Sequence, residues 1–146
     1  MAKPTTFKFS EMLIEIEDIG PPVAWVAPCG LTAKAFNGTA ATTDTNVPDC
    51  DDPDAASWLE RDVVSLARDI SGDGVLAGEY KNEWDDWFTS GNTRNVRISI
   101  PPVDPKSQWT GAYLLTTFNI TGGIGEKLKV AVVMQSDGQI TRVDTP

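Results

Sequence analysis

The chain of 146 residues contains no histidine and only two cysteines, Cys29 and Cys50. Histidine is the commonest general base and a frequent metal ligand, so its absence excludes Ser-His-Asp and Cys-His catalytic arrangements. The cysteine spacing matches no zinc motif. We therefore expect a protein that is not an enzyme and holds no metal or other cofactor. We expect reduced thiols in a cytosolic product, and a Cys29–Cys50 disulfide is the alternative.

Basic residues are also scarce, with 12 Lys and Arg against 21 Asp and Glu, for a net charge of −9. Binding to nucleic-acid phosphates requires clustered Lys and Arg, so we do not expect this protein to bind nucleic acid through its phosphates. No apolar run approaches the roughly 20 residues that a membrane span requires. The N-terminal run MAKPTTFKF has no apolar region typical of a secretory signal. The length suggests a single domain over residues 1–146.

Alternation of apolar and polar residues predicts a strand over residues 7–17, with Met12, Ile14 and Ile16 on one side. The run 58–70 fits both helical and strand periods, and the strand interpretation is preferred because its neighbours are strand-like. The remaining strand-like runs cover residues 23–27, 31–38, 92–100, 109–121, 126–135 and 140–143. The pattern predicts an all-β protein with one short α-helix, arranged as an antiparallel β-sandwich or barrel.

The one predicted helix covers Glu79 to Phe88, followed by Gly91 as a C-terminal stop. Its packing face is an aromatic stripe at helical spacing, made by Tyr80, Trp84, Trp87 and Phe88. Glycines predict a turn at 71–74 and hairpins at 122–125 and 137–138. The run GGIGEK superficially resembles a phosphate loop. It lacks the Gly-Lys-Ser/Thr ending and lies between two strands, so a hairpin turn is the preferred interpretation.

An acidic loop from Thr39 to Ser57 is the least ordinary part of the sequence. It carries five aspartates and two prolines, and Val47 is its only branched aliphatic residue. Structureless loops longer than about 12–15 residues are uncommon in compact domains, and so polar a loop cannot fold alone. Its aspartates lack the spacing of a calcium loop. We expect it to become ordered against another copy of the chain. The predicted inter-subunit residues are Thr43, Asp44, Asp49, Asp51, Asp52, Asp54 and Trp58.

The middle of the chain resembles a known family. The runs NVPDCDDPDAASW and DVVSLARDISGDGVLAGEYKNEWDDWFTSGNTRNVRISIP resemble the tail tube protein of long-tailed, lambda-like bacteriophages. The run LLTTFNITGGIGEKLKVAVVMQSDG resembles the final hairpin of that family. Together these runs extend from about Asn46 to Gly138, which is most of the chain.

The resemblance implies a structural virion protein that is assembled in the host cytoplasm and resides in the tail. Six copies would form a ring, and the rings would stack into a hollow tube through which DNA passes without specific binding. Other tail proteins would contact the tube ends, and no membrane is involved. The acidic loop would reach the neighbouring ring. Candidates for the lumen face are Thr117, Asn119 and Thr121, because the side of that strand bearing Phe118 and Ile120 is less polar.

Two alternatives stay open at this point. Five tryptophans on a β scaffold are also typical of a carbohydrate-binding module, in which exposed rings such as Trp58 and Trp109 stack on sugars. Within the structural class, the chain is also compatible with a tail terminator or with the tube of a contractile injection system.

Overall fold

The computed structural model describes residues 2–4, 6–18, 24–100 and 106–145. Within them lie eight strands and one α-helix, after a short 3-10 turn at Phe9–Glu11. The elements are β1 (Leu13–Asp18), β2 (Ala24–Val26), β3 (Leu31–Val47), β4 (Trp58–Val75), α1 (Lys81–Ser90), β5 (Arg94–Ile100), β6 (Lys106–Thr121), β7 (Lys129–Ser136) and β8 (Thr141–Thr145). Val23, predicted at the start of the second strand, lies outside the described residues.

All the described strand pairs are antiparallel, in the order β2-β1-β5-β6-β7-β4-β3. Strand β6 is long enough to serve both layers. Its first half pairs with β5 and β8, and its second half pairs with β7. The sheet folds over on itself, because the Phe36 ring of β3 lies 5.5 Å from the Trp109 ring of β6. These features confirm the predicted antiparallel β-sandwich with one helix.

The hydrophobic core fills the space between the two layers. Strand alternation turns every second side chain inward, as at Ile14 and Ile16 of β1 and at Val130, Val132 and Met134 of β7. The other fully or nearly buried hydrophobic side chains are Ile70, Trp84, Trp87, Val96, Ile98, Tyr113 and Leu115. Met12, Trp109 and Phe118 pack against this cluster from its margin.

Helix α1 starts two residues later than expected and ends at Ser90, before Gly91 in the left-handed conformation with φ of 68°. Trp84 and Trp87 are buried and stack at 6.0 Å between ring centroids. Tyr80 is half-buried at the N-cap position. The prediction that Phe88 belongs to the packing face is wrong, because it is 45 % exposed. Phe88 lies about 100° around the helix axis from Trp87, so the helix rests on its tryptophan edge alone.

The predicted acidic loop is largely a β-hairpin, which corrects the boundary of the third strand. Strand β3 continues to Val47 and pairs with β4 from Trp58 onward, so only residues 48–57 lie outside strands. The segment Thr39–Thr45 is polar, but its threonines are β-branched and favour extended backbone. Both faces of this hairpin are exposed, and for that reason its sequence lacks the apolar alternation of a half-buried strand.

The predicted turn at 71–74 is also wrong, because these residues lie inside β4, which runs to Val75. The glycines there allow β4 and the start of β3 to approach each other closely. A Cβ atom on Gly74 would lie 2.7 Å from the Leu31 Cα, and one on Gly72 would lie 3.2 Å from the Leu31 side chain. Leu128, predicted inside the last long strand, precedes β7 and is 54 % exposed.

Replacing Gly74 by alanine tests this packing. We expect Gly74→Ala to lower the free energy of unfolding by about 1–3 kcal/mol, since the new methyl group overpacks against backbone. Gly78→Ala is the matched control, because nothing lies within 4 Å of its Cβ position. Urea unfolding of both variants provides the measurement. Equal stability of the two variants would contradict a close approach at Gly74.

Tyr113 links stability to alkaline pH. Its side chain is fully buried, and its hydroxyl has no hydrogen-bond partner among the described residues. Burial raises the pKa of Tyr113 to about 12, with a smaller opposing effect from Arg68. The native state therefore keeps the phenol proton at a pH where the unfolded chain releases it. The stability contributed by this difference is full below about pH 10 and is lost as the pH rises toward 12.

We expect Tyr113→Phe to remove this dependence. Between pH 8 and pH 11 the wild-type protein should lose about 1 kcal/mol more than the variant, as measured by urea unfolding at both pH values. At pH 8 the variant should be at least as stable as the wild type, since it loses an unpaired buried hydroxyl. Parallel losses in the two proteins would show that Tyr113 does not titrate in this way.

Candidate assembly surfaces

The most prominent surface is a hairpin arm, which we define as residues 39–67. Strand β4 pairs with β7 only between Asp69 and Val75, whereas its pairing with β3 continues out to the Val47–Trp58 pair. Val47 lies ten residues beyond Asn37, the β3 residue opposite Asp69, so the hairpin extends roughly 33 Å beyond the pairing with β7. An isolated two-stranded hairpin is marginally stable in water. The arm therefore receives little stabilisation from the rest of its own chain.

The arm exposes large apolar side chains. Trp58 is 89 % exposed, Leu66 78 %, Val64 66 % and Val63 62 %. Contiguous exposed apolar residues of this kind mark sites of protein association. Trp58, predicted at a subunit interface, thus lies at the end of the arm with its ring open to solvent.

One side of the arm continues the core side of the sheet, and a bulge keeps three of its large apolar residues on that side. Paired residues share a face, so the pairs Ala40–Leu66 and Thr42–Val63 continue the core side that begins at Ile70. Val64 is skipped in the register between these two pairs. Without this bulge Val63 would turn to the opposite side, since a one-residue shift reverses every side chain beyond it. The core side of the arm therefore carries Leu66, Val63 and Leu59 with the Asp44–Arg61 pair between the last two, whereas the Val47–Trp58 pair lies on the opposite side.

The opposite side carries a polar face that continues from the arm onto four strands. Cross-strand rows run Ala35–Ser71–Val133–Thr117 and Ala33–Asp73–Ala131–Asn119. We define the polar face by the residues Ala33, Ala35, Asn37, Asp69, Ser71, Asp73, Val75, Lys129, Ala131, Val133, Gln135, Leu114, Thr117, Asn119 and Thr121. Asn119 and Thr121 are exposed and Thr117 is half-buried, whereas Phe118 points to the core. The face is flat, small in its side chains and slightly acidic.

The arm tip, residues 48–57, holds four of the predicted contact residues, Asp49, Asp51, Asp52 and Asp54, and no basic residue. The Asp51 N–H donates to Asp49 Oδ1 at 2.9 Å, which fixes a local turn. On the strands below, the Arg61 guanidinium pairs with Asp44 at 3.3 Å in an exposed contact. Thr43 lies opposite Asp62 on the polar side. Cys29 and Cys50 are free and exposed.

The four-strand section β6-β7-β4-β3 has two open edges in a single copy. In the described residues no strand pairs with the outer edge of β3, and β6 pairs only with β7 beyond Tyr113, where its pairing with β5 ends. Each edge presents unpaired backbone N–H and C=O groups, which proteins normally cover. The β3 edge and the β6 edge lie on opposite flanks of the section β6-β7-β4-β3. They run in opposite directions, so a copy of one can pair antiparallel with the other.

The alternative chemistries find little support in this geometry. Of the two rings that the sugar-binding alternative relies on, Trp109 packs against Phe36 and is not a free platform, whereas Trp58 is exposed. The GGIGEK run joins β6 to β7 as a hairpin turn. Across the part of the chain that the structure describes, no cluster of three or more metal-binding side chains occurs. The described helix is too short and polar to cross a membrane.

A β-sandwich with a projecting hairpin and two open edges defines the class as a self-associating structural subunit. Residues 6–142 match the model of the phage tail tube protein family, so the chain belongs to that family. No curated protein sequence matches it significantly. The protein is therefore a structural component of the virion tail, and the match does not distinguish lambda-like phages from other tailed particles.

Solved structures share the fold. A chain from the tail of an empty gene transfer agent particle, refined with C6 symmetry, is 19 % identical with a TM-score of 0.75, covering 93 % of this chain and 98 % of that one. The SPP1 tail tube is 9 % identical with a TM-score of 0.60, covering 96 % of this chain and 79 % of that one. The tube-terminating cap of the anti-feeding prophage is 11 % identical with a TM-score of 0.63, covering 99 % of this chain and 95 % of that one. At these identities the likeness establishes the fold.

Proposed function

We propose that six copies of this chain close into a ring and that rings stack into the tail tube, with the polar face lining the lumen. The observation that carries the proposal is the pair of open edges on the section β6-β7-β4-β3. Rotation about an axis parallel to the strands would bring the β6 edge of one copy beside the β3 edge of the next, in antiparallel register. The tail of the gene transfer agent was refined with sixfold rotational symmetry. The whole chain, residues 1–146, acts as one tube-forming domain.

The polarity of the sheet supports the direction of the lumen. The core side of the four-strand section is covered by β1, β2, β5 and α1, so a barrel made of these sections has only the polar face left to turn inward. Helix α1 then lies outside. The inward charges would be Asp69, Asp73 and Lys129, too few cations to hold a phosphate backbone. DNA would pass along Thr117, Asn119 and Thr121 without being bound.

The arm would connect the rings. It projects past the end of the sheet with its apolar face uncovered, so burial against a second ring would stabilise both the arm and the stack. Its contact residues would be the predicted set, namely Thr43, Asp44, Asp49, Asp51, Asp52, Asp54 and Trp58. At the two ends of the tube the same surfaces would meet other tail proteins.

A shortened arm separates ring stacking from folding. Replacing Pro48–Ser57 by Asn-Gly joins Val47 to Trp58 through a two-residue hairpin turn. We expect the protein to fold and to lose long tubes, since the inter-ring contact is shortened while the core is untouched. Electron microscopy and far-UV circular dichroism are the measurements. Tubes of wild-type length from the shortened protein would argue against an inter-ring arm.

Lysines on the polar face test the lumen. We expect the variant Thr117→Lys/Asn119→Lys/Thr121→Lys, when incorporated into tails, to slow DNA release, with relief at higher salt because phosphate binding is salt-dependent. The matched control is Glu83→Lys/Asp85→Lys/Asp86→Lys, which adds cations to exposed positions of α1. Release is followed by dye binding to emerging DNA. Equal slowing in both variants, or in neither, would count against this orientation of the sheet.

A terminating cap is the second candidate, because the cap of the anti-feeding prophage tube shares this fold. A cap stops growth, whereas a tube subunit adds to its own kind. Extended tubes from the purified chain alone would therefore exclude the cap role.

A further inference from the structure

The β6–β7 turn, residues 122–128, presents apolar side chains to solvent on a fixed backbone. Ile124 is fully exposed and Leu128 is 54 % exposed. The Glu126 N–H donates to the Gly123 carbonyl at 3.1 Å, and the Leu76 N–H donates to the Leu128 carbonyl at 2.9 Å. These bonds tie the turn both internally and to the end of β4. Its exposed apolar surface is thus held in place, as a docking surface requires.

This turn lies at the opposite end of the sheet from the arm. Lys129 of β7 pairs with Val75, the last residue of β4, whereas the arm leaves the sheet beyond the Asp69–Gln135 pair. All copies in a closed ring point the same way. In a stack of such rings, the arms of one ring therefore approach the β6–β7 turns of the next.

The two ends are complementary in charge. The arm carries seven carboxylates and one arginine, Arg61, which is engaged by Asp44. The turn and its first strand residue carry Lys127 and Lys129 against Glu126. Lys129 lies at 4.0 Å from Glu126, and Lys127 makes no ion pair with a described residue. Four arginines are engaged elsewhere: Arg97 with Glu15, Arg142 with Asp144, and Arg68 and Arg94 over aromatic rings.

The two ends are also complementary in apolar surface. Trp58 and Val47 form the last pair of the arm, and Trp58 is 89 % exposed. A flat aromatic ring beside carboxylates matches a turn that offers Ile124 and Leu128 beside ammonium groups. Aromatic anchors surrounded by polar contacts are typical of the energetically dominant part of an interface.

We propose that the β6–β7 turn is the docking surface for the arm tip of a second copy in the adjacent ring. Trp58 packs on Ile124 and Leu128, and the tip aspartates face Lys127 and Lys129. This inference rests on the proposed stacking of rings and adds the surface that receives the arm.

A charge exchange tests the contact. We expect Lys127→Glu/Lys129→Glu to raise the critical concentration for tube formation about tenfold or more, leaving rings, because the acidic tip then meets an acidic turn. The variant that adds Asp51→Lys/Asp52→Lys to these changes should recover most of the loss. Lys81→Glu is the control for a lysine on the exposed face of α1, and it should assemble as the wild type does. Sedimentation and electron microscopy across a concentration series provide the readout.

The outcomes separate the contact from the stacking itself. Wild-type assembly by Lys127→Glu/Lys129→Glu would overturn the docking surface while leaving the tail tube function intact. Failure of the exchanged variant to recover would also overturn it. Absence of rings and tubes from the wild-type chain would instead contradict the proposed function. If the reversed variant does not fold, Lys127→Gln replaces it, and a several-fold rise is then expected.

Discussion

Strand β4 is paired with β3 along nearly its whole length but with β7 only from Asp69 to Val75, and the rest of the structure depends on this inequality. The part of β4 before Asp69 has no partner in β7, so it projects from the sheet together with β3 as the arm. The same arrangement sets β3 at the flank of the section, with its outer edge unpaired. A single copy is thus left with backbone groups and apolar side chains that only another chain can cover.

The two faces of the sheet differ in composition and in what they contact. One face buries Ile70, Val132 and Met134 against the other layer, and the bulge at Val64 keeps Leu66, Val63 and Leu59 on the continuation of this face along the arm. The other face holds small and polar residues, which keep it flat. A second register shift, between Leu115 and Thr117 in β6, leaves Phe118 toward the core and Thr117 on the polar side. Two one-residue irregularities thus decide which side chains of β4 and β6 continue the core side and which lie on the polar face.

Much of this fold could be predicted from the sequence, because strands with one buried side show their alternation directly. Ile14 and Ile16 and the run from Val130 to Met134 follow that rule, and the Trp84–Trp87 pair follows the helical period instead. The arm could not be predicted as a hairpin, because a hairpin exposed on both faces has no regular alternation of apolar and polar residues. The segment Thr39–Thr45 offers only the weaker strand preference of its β-branched threonines. The prediction of a turn at 71–74 is wrong for a different reason. Gly72 and Gly74 allow a close approach to Leu31, and this contact depends on a strand that is distant in the sequence. Open edges depend on pairing, so no local pattern reveals them.

The central claim is that assembly pairs the outer edge of β3 with the open edge of β6 from residue 114 to 121. Amide hydrogen exchange, compared between dispersed protein and assembled tubes, tests it most directly. We expect the outward-pointing amides of these two edges to exchange readily in dispersed protein and to become strongly protected in tubes. Unchanged exchange at both edges, in tubes that electron microscopy shows to be intact, would contradict it.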